Sequence, residues 1–161
     1  MLLITLYSHP FGPNPWKVAL ILEELNIPYT TKFVDFSEES GAIIEYLIEK
    51  YDVKNRLSHN TFPEICQAKQ WLNFQASGQG PYYGQASYFS RIHPEKIQSA
   101  IDRYANEIRR VTGVLESVLK TRDWLVGDKC TCADLCFIAW QRWAPRYGGE
   151  DIYKDYPHVE A

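Results

Sequence analysis

The sequence has no excess of positive charge and no long apolar run. Its 161 residues include 17 lysines and arginines against 20 acidic residues, and the net charge of -3 offers no broad basic surface for nucleic acid. No apolar stretch approaches the roughly 20 residues that a membrane-spanning helix requires. The chain starts without a basic leader, so we expect a cytoplasmic protein without a nucleic-acid or membrane partner.

Cysteine is scarce, and its spacing is not that of a common metal motif. The four cysteines include no CxxC pair. Cys132 and Cys136 would share one helix face, so a metal site is conceivable. No histidine lies near them in the sequence, and ordinary reduced core thiols are the favoured interpretation, with no metal expected.

The first fifty residues predict a strand, a helix and a second strand. The chain is 45% hydrophobic and 14% aromatic, which favours a packed globule over disorder. Residues 3–7 are apolar, and residues 29–36 alternate and are rich in β-formers. Between them, Asn14 and Pro15 read as the N-cap and first position of a helix. This order predicts a parallel βαβ unit.

Beyond a helix at residues 41–51 and a polar linker at 52–60, the periodicity is helical to the end. Glycines and a proline at residues 78–81 are predicted to interrupt one helix, and a long helix is predicted over residues 94–120. Thr131 and Asp134 have the spacing of a capping box. We therefore predict two domains, an α/β unit at 1–52 and an all-helical unit at 60–161.

The order and spacing of five segments resemble the glutathione transferase family, and most closely its fungal nitrogen-regulator-like (nitrogen catabolite repression) class. These segments cover residues 5–10 (TLYSHP), 12–19 (GPNPWKVA), 39–43 (ESGAI), 71–81 (WLNFQASGQGP) and 131–134 (TCAD). The resemblance implies an incomplete thioredoxin-like α/β domain (βαβ plus one helix) followed by an all-α helical-bundle domain. It also implies glutathione as the bound cofactor, an electrophile in an apolar cleft, and a homodimer that needs no metal.

The resemblance implies that Asn14 contacts the glutathione sulfur. A free thiol with a pKa near 8.5 is mostly protonated at neutral pH, and a helix N-terminus and a hydrogen-bond donor both favour the anion. The alternative is that Asn14 only caps the helix. Ser8 and Tyr7 are weaker candidates for the thiol donor, and Lys17 is expected to face solvent.

By the same resemblance, Glu39 and Ser40 would hold the γ-glutamyl end of glutathione. The ammonium requires a carboxylate, and the carboxylate requires a hydroxyl and backbone N–H groups at a helix start. The alternative is an ordinary serine cap beside solvated acids.

Four aromatic residues are candidates to line the electrophile cleft, although aromatic residues at helical spacing more often belong to the core. They are Tyr82, Tyr83, Phe89 and Trp140.

One segment of the resembled family has no counterpart here. Family members carry a stretch containing a cis-proline before the Glu-Ser pair, whereas only Ser37 and Glu38 separate Phe36 from Glu39. We expect the internal deletion to remove two of four strands and leave a bare sheet edge. We also expect a shortened C-terminus. A skipped exon or a mistaken gene model would explain both gaps, as would a genuinely shortened protein.

Three functions are consistent with these features. The first is conjugation of the glutathione thiolate to a small electrophile. The second is glutathione-dependent cis-trans isomerisation in a fungal biosynthetic pathway, by thiol addition, bond rotation and elimination. The third is a catalytically weak regulator that binds a partner protein.

Overall fold

The chain opens with a parallel βαβ unit, as predicted. The computed structural model describes residues 3–9, 12–33 and 40–160. Strands β1 (Ile4–Ser8) and β2 (Tyr29–Phe33) pair in parallel along their whole length, and α1 (Pro13–Glu24) forms the crossover that a parallel pair requires. The predicted continuation of β2 through residues 34–36 lies outside the described residues.

Helix α1 begins two residues earlier than its sequence predicts. Gly12 occupies the cap position and Pro13 the first turn, and no side chain in the described part of the chain caps the helix. The prediction that Asn14 is the N-cap is therefore wrong, and Asn14 is the second helical residue. Because Pro13 and Pro15 carry no N–H group, Asn14 is the only one of the first three helical residues that offers a backbone donor.

The described residues from 40 to 160 are mostly helical. Helix α2 (Ser40–Tyr51) follows the βαβ unit. After a loop come α3 (Phe62–Phe74), α4 (Gly80–Arg91), α5 (Gln98–Leu119), α6 (Cys132–Gln141) and the short helices α7 (Ala144–Gly148), α8 (Ile152–Asp155) and α9 (Pro157–Glu160). None of the helices in the described part of the chain is long and apolar enough to cross a membrane.

The predicted interruption at residues 78–81 is wrong, because a π-helical turn, Gln75–Gln79, joins α3 to α4 without a break. The N–H of Gly80 donates to the carbonyl of Gln75, five residues earlier. Pro81 then falls in the first turn of α4, where a missing N–H is tolerated. The glycines and the proline thus change the helical pitch here instead of ending the helix.

Two clusters of buried side chains form the core. The first joins α1 and α2 to α6, with Ile21, Leu22 and Ile44 at most 1% exposed. The second lies among α4, α5 and the last helices, around Tyr83 and Ile108. Because α1 buries its apolar stripe against α6 as well as against the sheet, the two-stranded sheet does not have to supply the core alone.

The capping box predicted at the start of α6 is confirmed. The Thr131 hydroxyl accepts from the N–H of Ala133, and the Asp134 carboxylate accepts from the N–H of Thr131 at 2.8 Å. The other Asp134 oxygen accepts from the N–H of Leu125, also at 2.8 Å. One carboxylate therefore ties the preceding loop to the helix start.

Replacing Asp134 with alanine should destabilise the protein, because the N–H groups of Thr131 and Leu125 would lose a charged acceptor. Hydrogen bonds to charged groups contribute on the order of 1.5–3 kcal/mol each, so a loss of about 3 kcal/mol is expected in urea unfolding. Asp128→Ala removes an exposed carboxylate from the same loop and is the matched control. Equal losses in the two variants would contradict this role for Asp134.

Candidate functional site

Two cavities adjoin the amino-terminal end of α1. The larger, called the large cleft, has a volume of about 700 Å³ and opens between α1, α2 and the α3–α4 segment. Its lining comprises Asn14, Lys17, Gly41, Ala42, Glu45, Leu72, Asn73, Gln75, Ala76, Gly80, Pro81, Gly84, Gln85 and Trp140. Lys17 and Glu45 are its only charged residues within the described chain, so it presents one positive and one negative group.

The second cavity, called the aromatic pocket, has a volume of about 500 Å³. It is lined by residues at the start of α1, at the end of α4 and from α6 to α7, together with one residue that follows β1: Pro13, Ser87, Arg91, Ile92, Trp140, Trp143, Arg146, Tyr147 and His9. Trp140 lines both cavities, so its indole ring is a wall that the two share. The cavities therefore meet beside Asn14.

A hydrogen bond between the two parts of the chain orients the Asn14 side chain. The indole Nε1 of Trp140 lies 3.0 Å from Asn14 Oδ1. An indole N–H can only donate, so the Asn14 atom that faces it must be the amide oxygen. This fixes which way the amide points and leaves its NH₂ group to donate elsewhere. Asn14 therefore does not cap the helix with its oxygen.

The Trp140 ring is held by close packing against α4. An added Cβ atom at Gly80 or Gly84 would stand 4.0 and 3.8 Å from the indole, so the ring lies directly over this glycine face. The Tyr83 ring meets it edge-on, with centroids 6.2 Å apart. These contacts position the Nε1–H that binds Asn14.

Lys17 is buried, and the prediction that it faces solvent is wrong. Its side chain lines the large cleft but the residue is only 3% exposed, and Nζ donates to Gln75 Oε1 at 2.8 Å. No carboxylate pairs with it among the described residues. Burial lowers the pKa of Lys17 to about 8, because the charged form loses solvation.

A chain of buried polar groups continues from Lys17 into the helical part. Gln75 donates to Gln79, and Gln79 donates to Gln141, at 3.1 and 3.2 Å. Gln141 accepts from Tyr83 and donates to Thr112, at 3.0 and 3.1 Å. Burial raises the pKa of Tyr83, so its hydroxyl stays protonated and can donate. The π turn supplies the first two amides of this network.

The start of α2 borders the large cleft, as the predicted γ-glutamyl site requires. Gly41 and Ala42, in the first turn, line the cleft, and Glu45 follows one turn later. Ser40 is the first residue of α2. Glu39 and the side chain of Ser40 lie outside what the structure describes, so their proposed contacts with glutathione stay predictions.

The predicted aromatic residues occupy different environments. Trp140 lines both cavities. Tyr83 is fully buried, with its hydroxyl bonded to Gln141. Tyr82 and Phe89 pack against Tyr104, with ring centroids 6.4 and 5.7 Å away. Among the described residues, neither cavity lining includes these last three. Tyr83 belongs to the second core cluster, whereas Tyr82 and Phe89 are half-buried.

Several lining residues were not singled out from the sequence. Trp143 and Tyr147 follow Trp140 by three and seven positions, a helical repeat that the sequence displays. Arg91 and Arg146 carry no comparable signal, because exposed arginines are common on helices.

Comparison with known proteins identifies the fold. A profile described as "Glutathione S-transferase, C-terminal domain" matches residues 81–161. Glutathione S-transferase-like protein tpcF of Aspergillus fumigatus is 43% identical over 197 aligned positions, covering 98% of this chain and 87% of that protein. The chain belongs to the glutathione S-transferase family. The predicted resemblance is thus confirmed, and the alignment is longer than the chain because the relative carries residues without a counterpart here.

Solved structures place the chain near the Ure2-like transferases. The glutathione transferase URE2P6 of Phanerochaete chrysosporium, in complex with oxidized glutathione, is 42% identical with a TM-score of 0.91. The match covers 97% of this chain and 86% of that one. Ure2p in complex with glutathione is 35% identical with a TM-score of 0.91, over 99% and 93% of the two chains. Class and fold are therefore as predicted from the sequence.

The burial of Lys17 predicts a pH-dependent stability difference from Lys17→Met. In the folded protein the pKa of Lys17 is about 8, below its ordinary value of 10.5. The unfolded chain therefore binds the lysine proton more tightly than the folded protein does. The charged lysine therefore disfavours folding below pH 8, and this penalty shrinks as pH rises towards 10.5. At about 1.4 kcal/mol per pKa unit, wild type should gain about 2 kcal/mol relative to the variant between pH 7 and pH 9.5.

Urea unfolding of both proteins at each pH measures this difference. Lys69→Met, at an exposed position of α3, provides the matched control and should show a pH-independent difference. A constant difference for Lys17→Met as well would contradict the burial of its charge.

Proposed function

We propose that the chain binds glutathione in the large cleft and transfers its thiolate to a small electrophile. The orientation of the Asn14 amide is the observation that carries this proposal. Trp140 occupies Oδ1, and no described residue binds the NH₂ group, which belongs to a residue on the cleft wall. A thiolate is a suitable acceptor for that group.

The surroundings of Asn14 favour the anionic form of a thiol. Its NH₂ group donates to the sulfur, and the free backbone N–H of the α1 start adds a positive partial charge. Lys17, three residues later, contributes a positive charge from within the wall of the same cleft. All three lower the pKa of a bound thiol from its ordinary value near 8.5.

The large cleft also suits the charges of the tripeptide. Glutathione carries one ammonium and two carboxylates besides its thiol. The N-terminus of α2 favours a carboxylate, and Ser40 and Glu39 retain their proposed roles at the γ-glutamyl end. Glu45 adds a negative group near the same helix. Binding through these groups would direct the sulfur towards Asn14.

The aromatic pocket is the proposed electrophile site. Trp140 separates it from the large cleft, and Pro13 at its edge adjoins Asn14. In the reaction, the sulfur forms a bond to the electrophilic carbon while the leaving group departs with its electron pair. The thiol proton is released to solvent, and no protein nucleophile takes part.

Related proteins support this assignment. Ure2p5 of Phanerochaete chrysosporium was cocrystallized with 1-(S-glutathionyl)-2,4-dinitrobenzene and is 42% identical to this chain, with a TM-score of 0.88. Glutathione S-transferase 1 of Schizosaccharomyces pombe is 44% identical over 84% of this chain. We extend the activity that these names describe to the present chain.

Isothermal titration with glutathione, together with a chlorodinitrobenzene conjugation assay, tests the proposal. Binding should be weak, because the cis-proline segment of the family has no counterpart. Asn14→Ala should lower kcat/KM by about 10- to 100-fold, since a hydrogen bond to a charged group is lost. The pKa of the bound thiol should rise. Asn106→Ala, exposed on α5, should leave both values unchanged. Millimolar or tighter binding that survives Asn14→Ala with transfer intact would refute the thiolate role.

Trp140→Phe should lower kcat/KM about 5-fold, because it removes the donor to Asn14 Oδ1 but keeps an aromatic wall. Without that donor the amide can rotate, and the pKa of the bound thiol should rise towards its free value. Thiolate absorbance measured against pH in the complex reports this shift. Trp124→Phe, in the loop between α5 and α6, is the control. An unchanged thiol pKa in Trp140→Phe would exclude the orienting role.

The same assays distinguish the alternative functions. An isomerase would return glutathione unchanged, whereas conjugation leaves the glutathionyl group on the product. The regulator alternative is supported by the nitrogen regulation fragment of the yeast protein Ure2p, which is 36% identical to this chain with a TM-score of 0.90. A regulator would bind glutathione without turnover.

The homodimer and the domain boundary near residues 52–60 stay predictions. The mass of the protein in solution would check the first, and limited proteolysis would check the second.

A further inference from the structure

The aromatic pocket carries positive charge in an acidic protein. The chain as a whole has a net charge of -3, yet the lining of this pocket, among the described residues, includes Arg91 and Arg146 and no acidic residue. An electrophile site that only bound neutral apolar molecules would gain nothing from this arrangement. The positive charge of the lining therefore indicates a substrate that carries a negative charge.

The two arginines are available to bind an anion. Among the described residues, no carboxylate lies within ion-pair distance of Arg91 or Arg146, whereas Arg109 and Arg110 do have acidic partners. Arg91 is the last residue of α4, and Arg146 belongs to α7, so the pocket receives them from two helices. A planar guanidinium binds a carboxylate through two parallel hydrogen bonds.

The other walls are suited to a flat ring. Trp143 and Tyr147 are nearly parallel, with an interplanar angle of 28° and centroids 6.4 Å apart. The Tyr147 hydroxyl is bonded to Ser87 at 3.1 Å, which fixes that ring against α4. With Trp140, these side chains form three aromatic walls around about 500 Å³, a volume that accommodates a molecule of one or two rings.

We propose that the aromatic pocket selects planar aromatic electrophiles that carry a carboxylate, with Arg91 and Arg146 binding that group. This inference rests on the proposed transferase function and specifies its substrate class. The ring lies among Trp140, Trp143 and Tyr147, and its reactive carbon faces the sulfur beside Asn14. In nucleophilic aromatic substitution, the C–S bond forms, the C–F bond breaks and fluoride leaves with the electron pair. The carboxylate is unchanged.

A matched pair of substrates tests the selectivity. We choose a fluoronitrobenzoate, with fluorine para to the carboxylate and ortho to the nitro group, and the corresponding fluoronitrobenzamide. Each kcat/KM is divided by the uncatalysed rate constant with glutathione, because the two rings differ in intrinsic reactivity. Wild type should favour the benzoate at least about 10-fold, the effect of one charge-assisted contact of about 1.5 kcal/mol.

The double variant Arg91→Gln/Arg146→Gln should abolish that preference, so that the normalised rates for the benzoate and the benzamide become equal. Arg146→Lys should retain part of the preference, because it keeps the charge but loses the paired donors. Arg103→Gln removes an exposed arginine from α5 and should leave the preference intact. Equal normalised rates for the two substrates in wild type would overturn the inference.

A binding experiment separates this inference from the transferase proposal. Nitrobenzoate and nitrobenzamide, which lack a leaving group, are titrated calorimetrically without glutathione. The benzoate should bind more tightly, should lose that advantage in the double variant and should weaken with added salt. Conjugation of both substrates without a preference refutes the charge selectivity alone. Arginine-dependent benzoate binding with no conjugation of either substrate supports the selectivity and refutes the transferase function.

Discussion

The docking of α1 onto the helical part of the chain determines both cavities. Two hydrogen bonds cross this boundary on the inner face of α1. Asn14 accepts from Trp140, and Lys17 donates to Gln75. Around them, the apolar stripe of α1 packs against α6. If α1 rotated or shifted, the Asn14 amide would lose its orientation and the large cleft would lose a wall.

The packing of α1 on the helical part explains how the amino-terminal part can be stable with a sheet of only two strands. A two-stranded sheet is marginal by itself, and β2 exposes most of its residues. The main apolar cluster instead joins α1 and α2 with helices of the carboxy-terminal half, including Cys136 and Phe137 of α6. The βαβα part is therefore stabilised mainly as a layer on the helical part, and the position of Asn14 depends on that contact.

The sequence was informative where one local rule decides the structure. Periodicity and caps predicted the βαβ unit, the long helix α5 and the capping box at Thr131, because each depends on residues within a few positions of one another. The environments of individual side chains were harder to predict from the sequence. Whether Lys17 faces solvent or the interior depends on α6 and the π turn, which are far away in the sequence. Likewise, the contact that orients Asn14 joins residues 126 positions apart, and no local pattern encodes it.

The π turn at Gln75–Gln79 sets the rotational phase between α3 and α4. A π turn accommodates one more residue than the α-helical turn that it replaces, and one residue corresponds to about 100° around a helix. Deleting a single residue there would swing the Gly80 and Gly84 face of α4 away from Trp140. The length of this five-residue segment is therefore a constraint separate from the hydrogen bonds that its glutamines make.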